Sequence, residues 1–245
     1  IANSRNQKDF FLENIEIQNS LLKLALKKKI KRTIFLGTSC IYPKFTKIPI
    51  KESSLLSGKL EKTNQCYAIA KIAGIKLCEA LKEDYKLDII CLMPTNVYGN
   101  NDNFNKVNGH VIPAIITKVE EAKREKKKKV NLLGTGKPLR EFIHAEDLAS
   151  AILFSLKIKK KIIQKQFGYK LPILNVGTNQ EFTIKKLAEL ISKYLSFNGK
   201  ILFDKKSPDG TFRKKLDSSL INRLGWLPNI QFKHGLKKVI ENRKN

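Results

Sequence analysis

IFLGTSC at residues 34–40 and YAIAK at residues 67–71 are the stretches that decide the fold of this chain. The run from Thr33 to Gly37 is apolar, β-branched and aromatic, and glycine and hydroxyl residues end it, a pattern that predicts a buried strand of a parallel sheet. The segment Tyr67–Tyr85 is rich in Ala, Ile, Leu, Glu and Lys, which predicts a helix. A strand followed by a helix indicates an α/β fold whose functional groups lie where the strands end.

Tyr67 and Lys71 lie four residues apart, and residues at this spacing share one face of a helix. A free tyrosine has a pKa of about 10, so its phenolate forms near neutrality only when a neighbouring cation stabilises it. Lys71 supplies such a charge, and the hydroxyl of Thr38 can bind a substrate carbonyl or hydroxyl. An ordinary amphipathic helix and a strand-end cap at Thr38 explain the same residues without chemistry.

The rest of the chain continues the alternation of helices and strands. The helix Phe10–Lys29 precedes the strand at Thr33, and a second buried strand, Leu87–Met93, ends in the turn sequence PTNVYG. This order predicts a Rossmann-like, doubly wound parallel sheet with a smaller C-terminal α/β domain. The lysine-rich stretch 157–171 is expected to vary in structure. The further predicted elements are a helix from near His110, the strand Val130–Gly134, the helix Ala145–Leu156, the strand Ile173–Val176, the helix Ile184–Leu195 capped by Thr183, the strand Ile201–Phe203, and the helices Leu216–Gly225 and Phe232–Asn242.

Composition and charge bound the class of protein. The 245 residues carry a formal net charge of +26, but 41 of the 48 basic residues are lysines, spread over helix faces and short runs such as 126–129. Arginine is favoured for base recognition, and aromatic residues do not alternate with the lysine runs, so a specific nucleic-acid partner is not expected. The charge instead favours long-range attraction of an anionic nucleotide sugar, which salt should weaken.

The cysteines and the hydropathy point to a reducing compartment. Cys40, Cys66, Cys78 and Cys91 lack the paired spacing of a metal site, so no metal is expected. No apolar run reaches the roughly 20 residues of a membrane span, and no signal peptide is present. We therefore expect a cytoplasmic protein with reduced thiols and no membrane partner.

From about Asn14 to Trp226, the chain resembles the GDP-L-fucose synthase family. The resemblance is carried by the stretches LGTSCIYP, KTNQCYAIAKIAGIKLCEA, MPTNVYG, NDNF, GHVIPA, GTGKPLREFIHAEDLA and SPDGTFRKKLD. Members of this family are extended short-chain dehydrogenases/reductases that convert GDP-4-keto-6-deoxy-D-mannose to GDP-L-fucose with NADPH. The resemblance also implies a homodimer that pairs the helices beginning near Phe10 and Tyr67.

The resemblance assigns Cys40 and His110 to proton exchange at the sugar ring. A 4-keto group acidifies the C–H bonds at C3 and C5, so a base can remove each proton and an acid can return it on the opposite face. A free thiol with a pKa near 8.5 and an imidazole with a pKa near 6.5 both titrate close enough to neutrality for this work. Cys40 is the expected base and His110 the expected acid.

The reduction that follows is assigned to the Tyr67 pair. Tyr67 is expected to protonate the C4 oxygen while NADPH delivers a hydride to C4, with Lys71 lowering the pKa of Tyr67 and holding the cofactor ribose. Thr38 would orient the carbonyl. The family usually has serine at this place, and threonine keeps the hydroxyl.

The resemblance further implies two sets of binding residues. Arg140 suits a diphosphate as a planar, bidentate donor, although a salt bridge to Glu141 or Asp147 explains it without a ligand. A turn at residues 94–99 and a capping or surface role for His110 are likewise open. The residues expected at NADP(H) are Leu36, Gly37, Tyr67, Lys71, Pro94, Asn96, Val97 and His110, and those expected at the GDP-sugar are Lys118, Arg140 and Lys214, beside Arg213.

A dinucleotide-binding domain ordinarily opens with a strand, a glycine-rich turn and a helix whose N-terminus binds the pyrophosphate. No G-x-x-G-x-x-G or G-x-G-x-x-G occurs in this sequence, and its sole G-x-G is Gly134–Gly136. Because the downstream motifs are intact, we expect a fragment of a longer gene product rather than a degenerate relative. Residues 1–100 and about 140–178 are then a partial NADP-binding domain, and about 101–139 and 179–245 a substrate domain.

Two other functional classes stay open at this point. Another NAD(P)-dependent sugar-nucleotide enzyme, such as a 4-epimerase or a 4,6-dehydratase, would need Tyr67 and Lys71 but not Cys40 with His110. A non-catalytic binding protein would need none of these four residues.

Overall fold

A computed structural model describes residues 6–105, 109–207 and 209–243. The chain divides into two compact units. Unit 1 comprises Ile1–Thr95, Leu148–Gly177 and Leu216–Leu227, and unit 2 comprises Asn96–Asp147, Thr178–Lys215 and Pro228–Asn245. The predicted domain limits placed Leu216–Leu227 with the second domain and residues 140–147 with the first, whereas each lies in the other unit.

The helices follow the apolar periodicity of the sequence. Thr183 caps one of them, as predicted, because its hydroxyl accepts a hydrogen bond from the backbone N–H of Lys186 at 3.1 Å. The α-helices are α1 (Gln7–Lys27), α2 (Gln65–Tyr85), α3 (Val111–Arg124), α4 (Ala145–Lys157), α5 (Lys160–Phe167), α6 (Ile184–Tyr194), α7 (Ser219–Arg223) and α8 (Phe232–Asn242). None of the helices in the described ranges combines the length and the apolar character needed to cross a bilayer.

The strands in the described residues are β1 (Thr33–Leu36), β2 (Ile89–Pro94), β3 (Asn96–Tyr98), β4 (Lys129–Leu133), β5 (Leu139–His144), β6 (Ile173–Val176), β7 (Glu181–Thr183), β8 (Lys200–Asp204) and β9 (Arg213–Lys214). These strands form three small sheets. Unit 1 holds the order β1-β2-β6. Unit 2 holds β3-β5-β7, with β9 also pairing β5, and the pair β4-β8.

The sheet of unit 1 is parallel throughout and confirms the predicted fold class. Thr33 pairs with Ile89, and Cys91 pairs with Ile173. All six residues of β2 are buried, as expected for a central strand of a parallel sheet covered on both faces. The carboxyl ends of β1 and β2 therefore lie side by side, at the edge where such sheets carry their functional groups.

Helices α1 and α2 pack closely because a glycine lies at their contact. The side chain of Gln18 on α1 donates to the carbonyl of Ala70 on α2 at 2.8 Å. A Cβ placed on Gly74 would lie 2.5 Å from Gln18 Oε1 and 2.5 Å from Cζ of Phe35 on β1. Gly74 thus allows α2 to approach both α1 and the sheet, which fixes the helix that carries Tyr67 and Lys71.

Unit 2 has its own apolar core. Phe232 of α8 stacks on Phe142 and Phe182, with ring centroids 5.5 Å and 4.2 Å apart. Strand β5 pairs in parallel with β3 and β9 and antiparallel with β7. This arrangement brings the turn after β2, the N-terminus of α3 and Arg140 of β5 into one compact unit.

Two predicted stretches differ from the structure. The lysine-rich stretch 157–171 contains the helix α5, because burial of Ile163 gives the segment a tertiary contact that its composition does not reveal. The helix predicted for Leu216–Gly225 spans only Ser219–Arg223, since Leu216 forms a parallel bridge with Ile50. The chain turns after this helix at Gly225, which has a φ of +110°.

Candidate functional site

Thr38, Cys40, Asn64 and Tyr67 are linked by hydrogen bonds in unit 1, and Lys71 lies one turn beyond Tyr67 on the same helix. We call these five residues the Tyr67 cluster. The ladder of the parallel sheet extends to Gly37, whose N–H donates to the carbonyl of Leu92 at 2.9 Å. The chain then leaves the sheet, so the cluster lies just beyond the carboxyl end of β1.

Thr38 links the strand to the cysteine. It caps a short 3₁₀ turn, Ser39–Ile41, and its Oγ1 accepts a hydrogen bond from the backbone N–H of Cys40 at 3.2 Å. The Thr38 hydroxyl therefore both caps the turn after the strand and contacts Tyr67.

Asn64 is a member of the cluster that the sequence analysis missed. Its Nδ2 lies 3.2 Å from Sγ of Cys40, so the amide donates to the sulfur. Asn64 occupies the N-cap position of α2 but makes no side-chain cap bond there. The only sequence signal was an asparagine immediately before a helix, which ordinarily indicates a cap rather than a contact with a cysteine.

Tyr67 is half-buried, and its environment keeps the proton on its oxygen. Desolvation raises the pKa of Tyr67, the negative charge of a Cys40 thiolate raises it further, and a hydrogen bond with Thr38 lowers it in part. The pKa of Tyr67 is thus raised in this chain, whereas Lys71 was expected to lower it. A tyrosine held in its protonated form can act as a proton donor.

Lys71 interacts with the strand rather than with the tyrosine oxygen. Its Nζ donates to the carbonyl of Leu36 at 3.3 Å and lies 5.5 Å from the centre of the Phe35 ring. Burial lowers the pKa of Lys71, because the charged form is desolvated. The ammonium group is therefore fixed at the carboxyl end of β1.

A second group of predicted residues meets in unit 2, around a cavity of about 300 Å³ that we call the Arg140 cavity. Its polar lining comes from Asn96, His110, Arg140 and Asp209, and its apolar lining includes Val97, Ile112, Pro113, Leu133, Phe142 and Ile184. A mostly apolar cavity with a few convergent polar groups is the usual form of a small-molecule site.

His110 lies at the N-cap position of α3 with an extended backbone. Its side chain makes no cap bond and is exposed, and it lines the Arg140 cavity. The His110 side chain thus does not cap the helix and instead contributes to the cavity wall.

Arg140 faces the cavity beside an acidic partner. Desolvation lowers the pKa of Arg140, and the nearby Asp209 carboxylate raises it in part. Asp209 itself accepts hydrogen bonds from the backbone N–H and the hydroxyl of Thr135, at 2.9 Å and 2.6 Å, and these bonds lower its pKa. The Glu141 carboxylate accepts hydrogen bonds from the backbone N–H groups of Thr178 and Asn179. The Asp147 carboxylate accepts hydrogen bonds from the backbone N–H groups of Asn229 and Ile230.

The other predicted substrate residues are not among those that line the Arg140 cavity. Arg213 makes a bidentate ion pair with Glu181, with Nη2 2.6 Å and Nε 3.0 Å from the carboxylate oxygens. Lys214 is half-buried, and it lies opposite Arg140 in the parallel backbone pairing of β9 with β5. Lys118 is half-buried on α3, eight residues beyond His110, which is about 12 Å along the helix axis.

The residues predicted at the cofactor fall into both units. Leu36 and Gly37 end the ladder of β1, and Pro94 ends β2, all in unit 1. Asn96 and Val97 begin β3 in unit 2, where the Asn96 side chain donates to the carbonyl of Glu141 at 2.8 Å. Their contact with a cofactor stays a prediction.

Comparison with known proteins identifies the family of this chain. Residues 1–177 match the model of the NAD dependent epimerase/dehydratase family. The chain is 48% identical over 236 residues to "Probable GDP-L-fucose synthase 1" of Oryza sativa subsp. japonica, covering 96% of this chain and 69% of that protein. It is 42% identical over 241 residues to the GDP-L-fucose synthase of Escherichia coli (strain K12), covering 98% and 75%.

Solved structures show the same architecture. A GDP-mannoheptose C4 reductase from Campylobacter jejuni with NADP bound is 31% identical, with a TM-score of 0.85 over 100% of this chain and 77% of that chain. The family match, the identities and the shared fold lead to one assignment: this chain belongs to the NAD dependent epimerase/dehydratase family and, within it, to the GDP-L-fucose synthases.

Proposed function

We propose that this chain carries out the NADPH-dependent 3,5-epimerisation and 4-reduction of GDP-4-keto-6-deoxy-D-mannose to GDP-L-fucose. The observation that carries the proposal is the Tyr67 cluster, in which a half-buried cysteine accompanies the Thr38, Tyr67 and Lys71 side chains. A reductase of a 4-keto sugar needs the last three residues. The added thiol suits an enzyme that also moves protons on the ring carbons.

Epimerisation is assigned to Cys40 and His110. In this scheme the Cys40 thiolate removes the proton from C3, the electron pair moves into the C4 carbonyl to give an enolate, and His110 returns a proton to the opposite face of C3. The same two transfers at C5 invert that centre. The amide of Asn64 supports the thiolate because it donates to the sulfur.

Reduction is assigned to Tyr67, which holds the proton that the C4 oxygen takes up. The raised pKa of Tyr67 keeps this proton in place at neutral pH, and the hydroxyl of Thr38 orients the carbonyl. NADPH supplies the hydride to C4 when it is bound. Lys71, fixed at the carbonyl of Leu36, offers its ammonium group to the ribose hydroxyls of the cofactor.

The described residues fit the nicotinamide end of NADP(H). Lys71 and Tyr67 lie at the carboxyl end of β1, the edge where dinucleotides bind in such sheets. The sequence contains no glycine-rich pyrophosphate turn of the G-x-x-G-x-x-G kind, so these residues fit the nicotinamide end of the cofactor alone.

We assign the nucleotide diphosphate to the Arg140 cavity. The cavity offers one guanidinium together with apolar walls, and planar donors of this kind bind phosphate oxygens bidentately. Lys118 and Lys214 stay candidates for further contacts.

We further propose a homodimer in the cytoplasm. Three leucine and isoleucine side chains, Ile17, Leu21 and Leu24, are 60%, 61% and 50% exposed on α1 at helical spacing. An exposed apolar row on a long helix is typical of a helix-pairing interface. Sedimentation velocity of the Leu21→Lys variant tests the dimer, since a charge in this row should yield monomers.

The function is tested by incubating the purified chain in D₂O with GDP-4-keto-6-deoxy-D-mannose, with and without NADPH. We expect deuterium at C3 and C5 in both cases and GDP-L-fucose only with NADPH. The Cys40→Ser variant should lose deuterium incorporation, while Cys66→Ser, which changes the other half-buried cysteine, should keep it. Consumption of NADPH without deuterium incorporation would instead indicate a C4 reductase, and no turnover in either assay would overturn the proposal.

A further inference from the structure

Asn175, in the middle of β6, is fully buried, and both the oxygen and the nitrogen of its side-chain amide are hydrogen-bonded. Its Oδ1 accepts a hydrogen bond from the hydroxyl of Tyr42 at 2.6 Å. Its Nδ2 donates to the carbonyl of Ile50 at 2.9 Å and to the carbonyl of Asp217 at 3.2 Å. The backbone N–H of the same residue donates to Oε1 of Glu52 at 2.9 Å.

Three of these four partners belong to one segment, residues 42–52, which begins two positions after Cys40. Tyr42 is the residue that ends the 3₁₀ turn containing Cys40, and it is 1% exposed. Ile50, at the other end of the segment, also forms a bridge with Leu216. A single side chain on β6 thus fixes both ends of the segment that follows the cysteine.

We propose that Asn175 is a positioning residue for Cys40, which holds the thiol beside Asn64, Thr38 and Tyr67 by anchoring Tyr42 and Ile50 to the sheet. This inference rests on the proposed epimerisation, since it matters for function only if Cys40 moves protons. Asn175 touches neither substrate nor reacting atoms and acts through the segment alone.

The chemistry of the contact requires an amide of this length. An acceptor is needed for the Tyr42 hydroxyl, and two donors are needed for the carbonyls of Ile50 and Asp217. Aspartate would supply the acceptor but no donors, and it would place a carboxylate against two carbonyl oxygens and Glu52. Burial raises the pKa of Tyr42 far above its usual value, so its hydroxyl stays a donor throughout the working pH range.

Two variants test the inference in the full chain. Tyr42→Phe removes one hydroxyl from the network and keeps the ring, so it disturbs the anchor with the least risk to folding. Asn175→Asp removes both donors. The control is Tyr98→Phe, which removes another buried hydroxyl, one that donates to the carbonyl of Phe232 at 3.4 Å in unit 2.

The first readout needs no turnover. Iodoacetamide labelling, followed by peptide mass spectrometry, gives the alkylation rate of Cys40 relative to Cys66 in the same molecule. We expect this ratio to rise severalfold in Tyr42→Phe and in Asn175→Asp, because a loosened segment exposes the thiol, and to stay unchanged in Tyr98→Phe. Faster hydrogen–deuterium exchange of residues 39–54 should accompany the change.

The second readout separates positioning of the thiol from general damage. Deuterium incorporation at C3 and C5 should fall by about tenfold or more, since a 1 Å misplacement of a catalytic group costs on the order of 10²-fold. Single-turnover oxidation of GDP-L-fucose at C4 by NADP⁺, which returns the hydride to the cofactor and the proton to Tyr67, should change far less.

An unchanged Cys40 to Cys66 labelling ratio in the folded Tyr42→Phe variant overturns the inference. Equal losses of deuterium incorporation and of GDP-L-fucose oxidation would also overturn it, because they indicate general structural damage. If the parent chain turns over neither substrate, the proposed function fails, while the labelling ratio still decides whether Asn175 positions Cys40.

Discussion

The amide nitrogen of Asn64 lies 3.2 Å from the sulfur of Cys40, so the residue that precedes the Tyr67 helix donates to the thiol of the preceding turn. This contact joins the residues predicted for epimerisation to those predicted for reduction, because Asn64 is the N-cap of the helix that carries Tyr67. In the proposed epimerisation this sulfur accepts the sugar proton.

Replacing Asn64 by alanine should therefore weaken epimerisation. Hydrogen bonds to charged groups contribute about 1.5–3 kcal/mol, so we expect deuterium incorporation at C3 and C5 to slow by roughly 10- to 100-fold. NMR of the product formed in D₂O measures this rate. Asn131→Ala, which changes an exposed asparagine of β4, is the control, and an unchanged rate in Asn64→Ala would show that the contact has no role.

Replacing Tyr67 by phenylalanine should separate reduction from epimerisation. Loss of a positioned general acid costs about 10²- to 10⁴-fold, so NADPH consumption should nearly stop. Deuterium incorporation, which depends on Cys40, should persist. Tyr85→Phe removes a hydroxyl from an exposed tyrosine of the same helix and should leave both rates intact. Simultaneous loss of both activities in Tyr67→Phe would contradict this division of labour.

Arg140 and Arg213 should differ in their effect on substrate affinity. The guanidinium of Arg140 faces the cavity, whereas that of Arg213 is occupied by Glu181. Arg140→Ala should raise KM for the GDP-sugar by about 10- to 100-fold, the value of one charge-assisted hydrogen bond. Arg213→Ala should change KM little. Steady-state kinetics of both variants measures the two KM values. A larger increase of KM in Arg213→Ala than in Arg140→Ala would show that the diphosphate does not bind at Arg140.

Among the arginines near the surface, Arg32 is expected to contribute most to the free energy of unfolding. Its Nη2 lies 2.9 Å from the Asp88 carboxylate, and its Nη1 donates to the carbonyls of Ser155 and Leu156 at the end of α4. Removing the closer partner of this nearly buried carboxylate leaves it with the exposed Lys160, whose Nζ lies 3.9 Å away, so Arg32→Ala should lower the free energy of unfolding by about 3 kcal/mol.

Urea unfolding measures the Arg32→Ala effect. Lys31→Ala, a change at the exposed neighbouring lysine, serves as its control and should lie within about 0.5 kcal/mol of the parent chain. A similarly small effect for Arg32→Ala would mean that Asp88 and the end of α4 are well solvated without it.

Glu52 makes the free energy of unfolding fall as pH rises, because its pKa is raised in the folded chain. Burial raises the pKa of Glu52, so between its ordinary value of 4.5 and the raised value the folded chain binds more protons than the unfolded chain. Its contribution to stability is therefore fully present below pH 4.5 and is lost as pH rises through the raised pKa.

The Glu52→Gln variant keeps an acceptor for the N–H of Asn175 and carries no charge. Its stability relative to the parent chain should therefore increase from pH 4 to pH 7, as measured by urea unfolding at each pH. Glu83→Gln, at an exposed site, corrects for the loss of one negative charge. A relative stability of Glu52→Gln that falls over this range would contradict the sign.

The sequence by itself determined the α/β class, the strand at Thr33 and the helix with Tyr67 and Lys71 on one face. These features follow from local chemistry, because a continuous apolar run suits a buried parallel strand and a four-residue spacing suits one helix face. The motifs also indicated the family and placed Thr38 and Cys40 at a strand end, which the turn Ser39–Ile41 bears out.

Only the tertiary structure decided which distant groups meet. Asn64 contacts Cys40 across 24 residues, Asp209 bonds Thr135 across 74, and Asn175 bonds Tyr42 across 133. No local pattern encodes these pairs, since each depends on how separate elements pack. Packing also pairs Arg213 with Glu181. Burial raises the pKa of Tyr67, whereas the spacing of Tyr67 and Lys71 predicted a lowered pKa. Desolvation and long-range contacts belong to the folded chain, whereas periodicity belongs to the sequence.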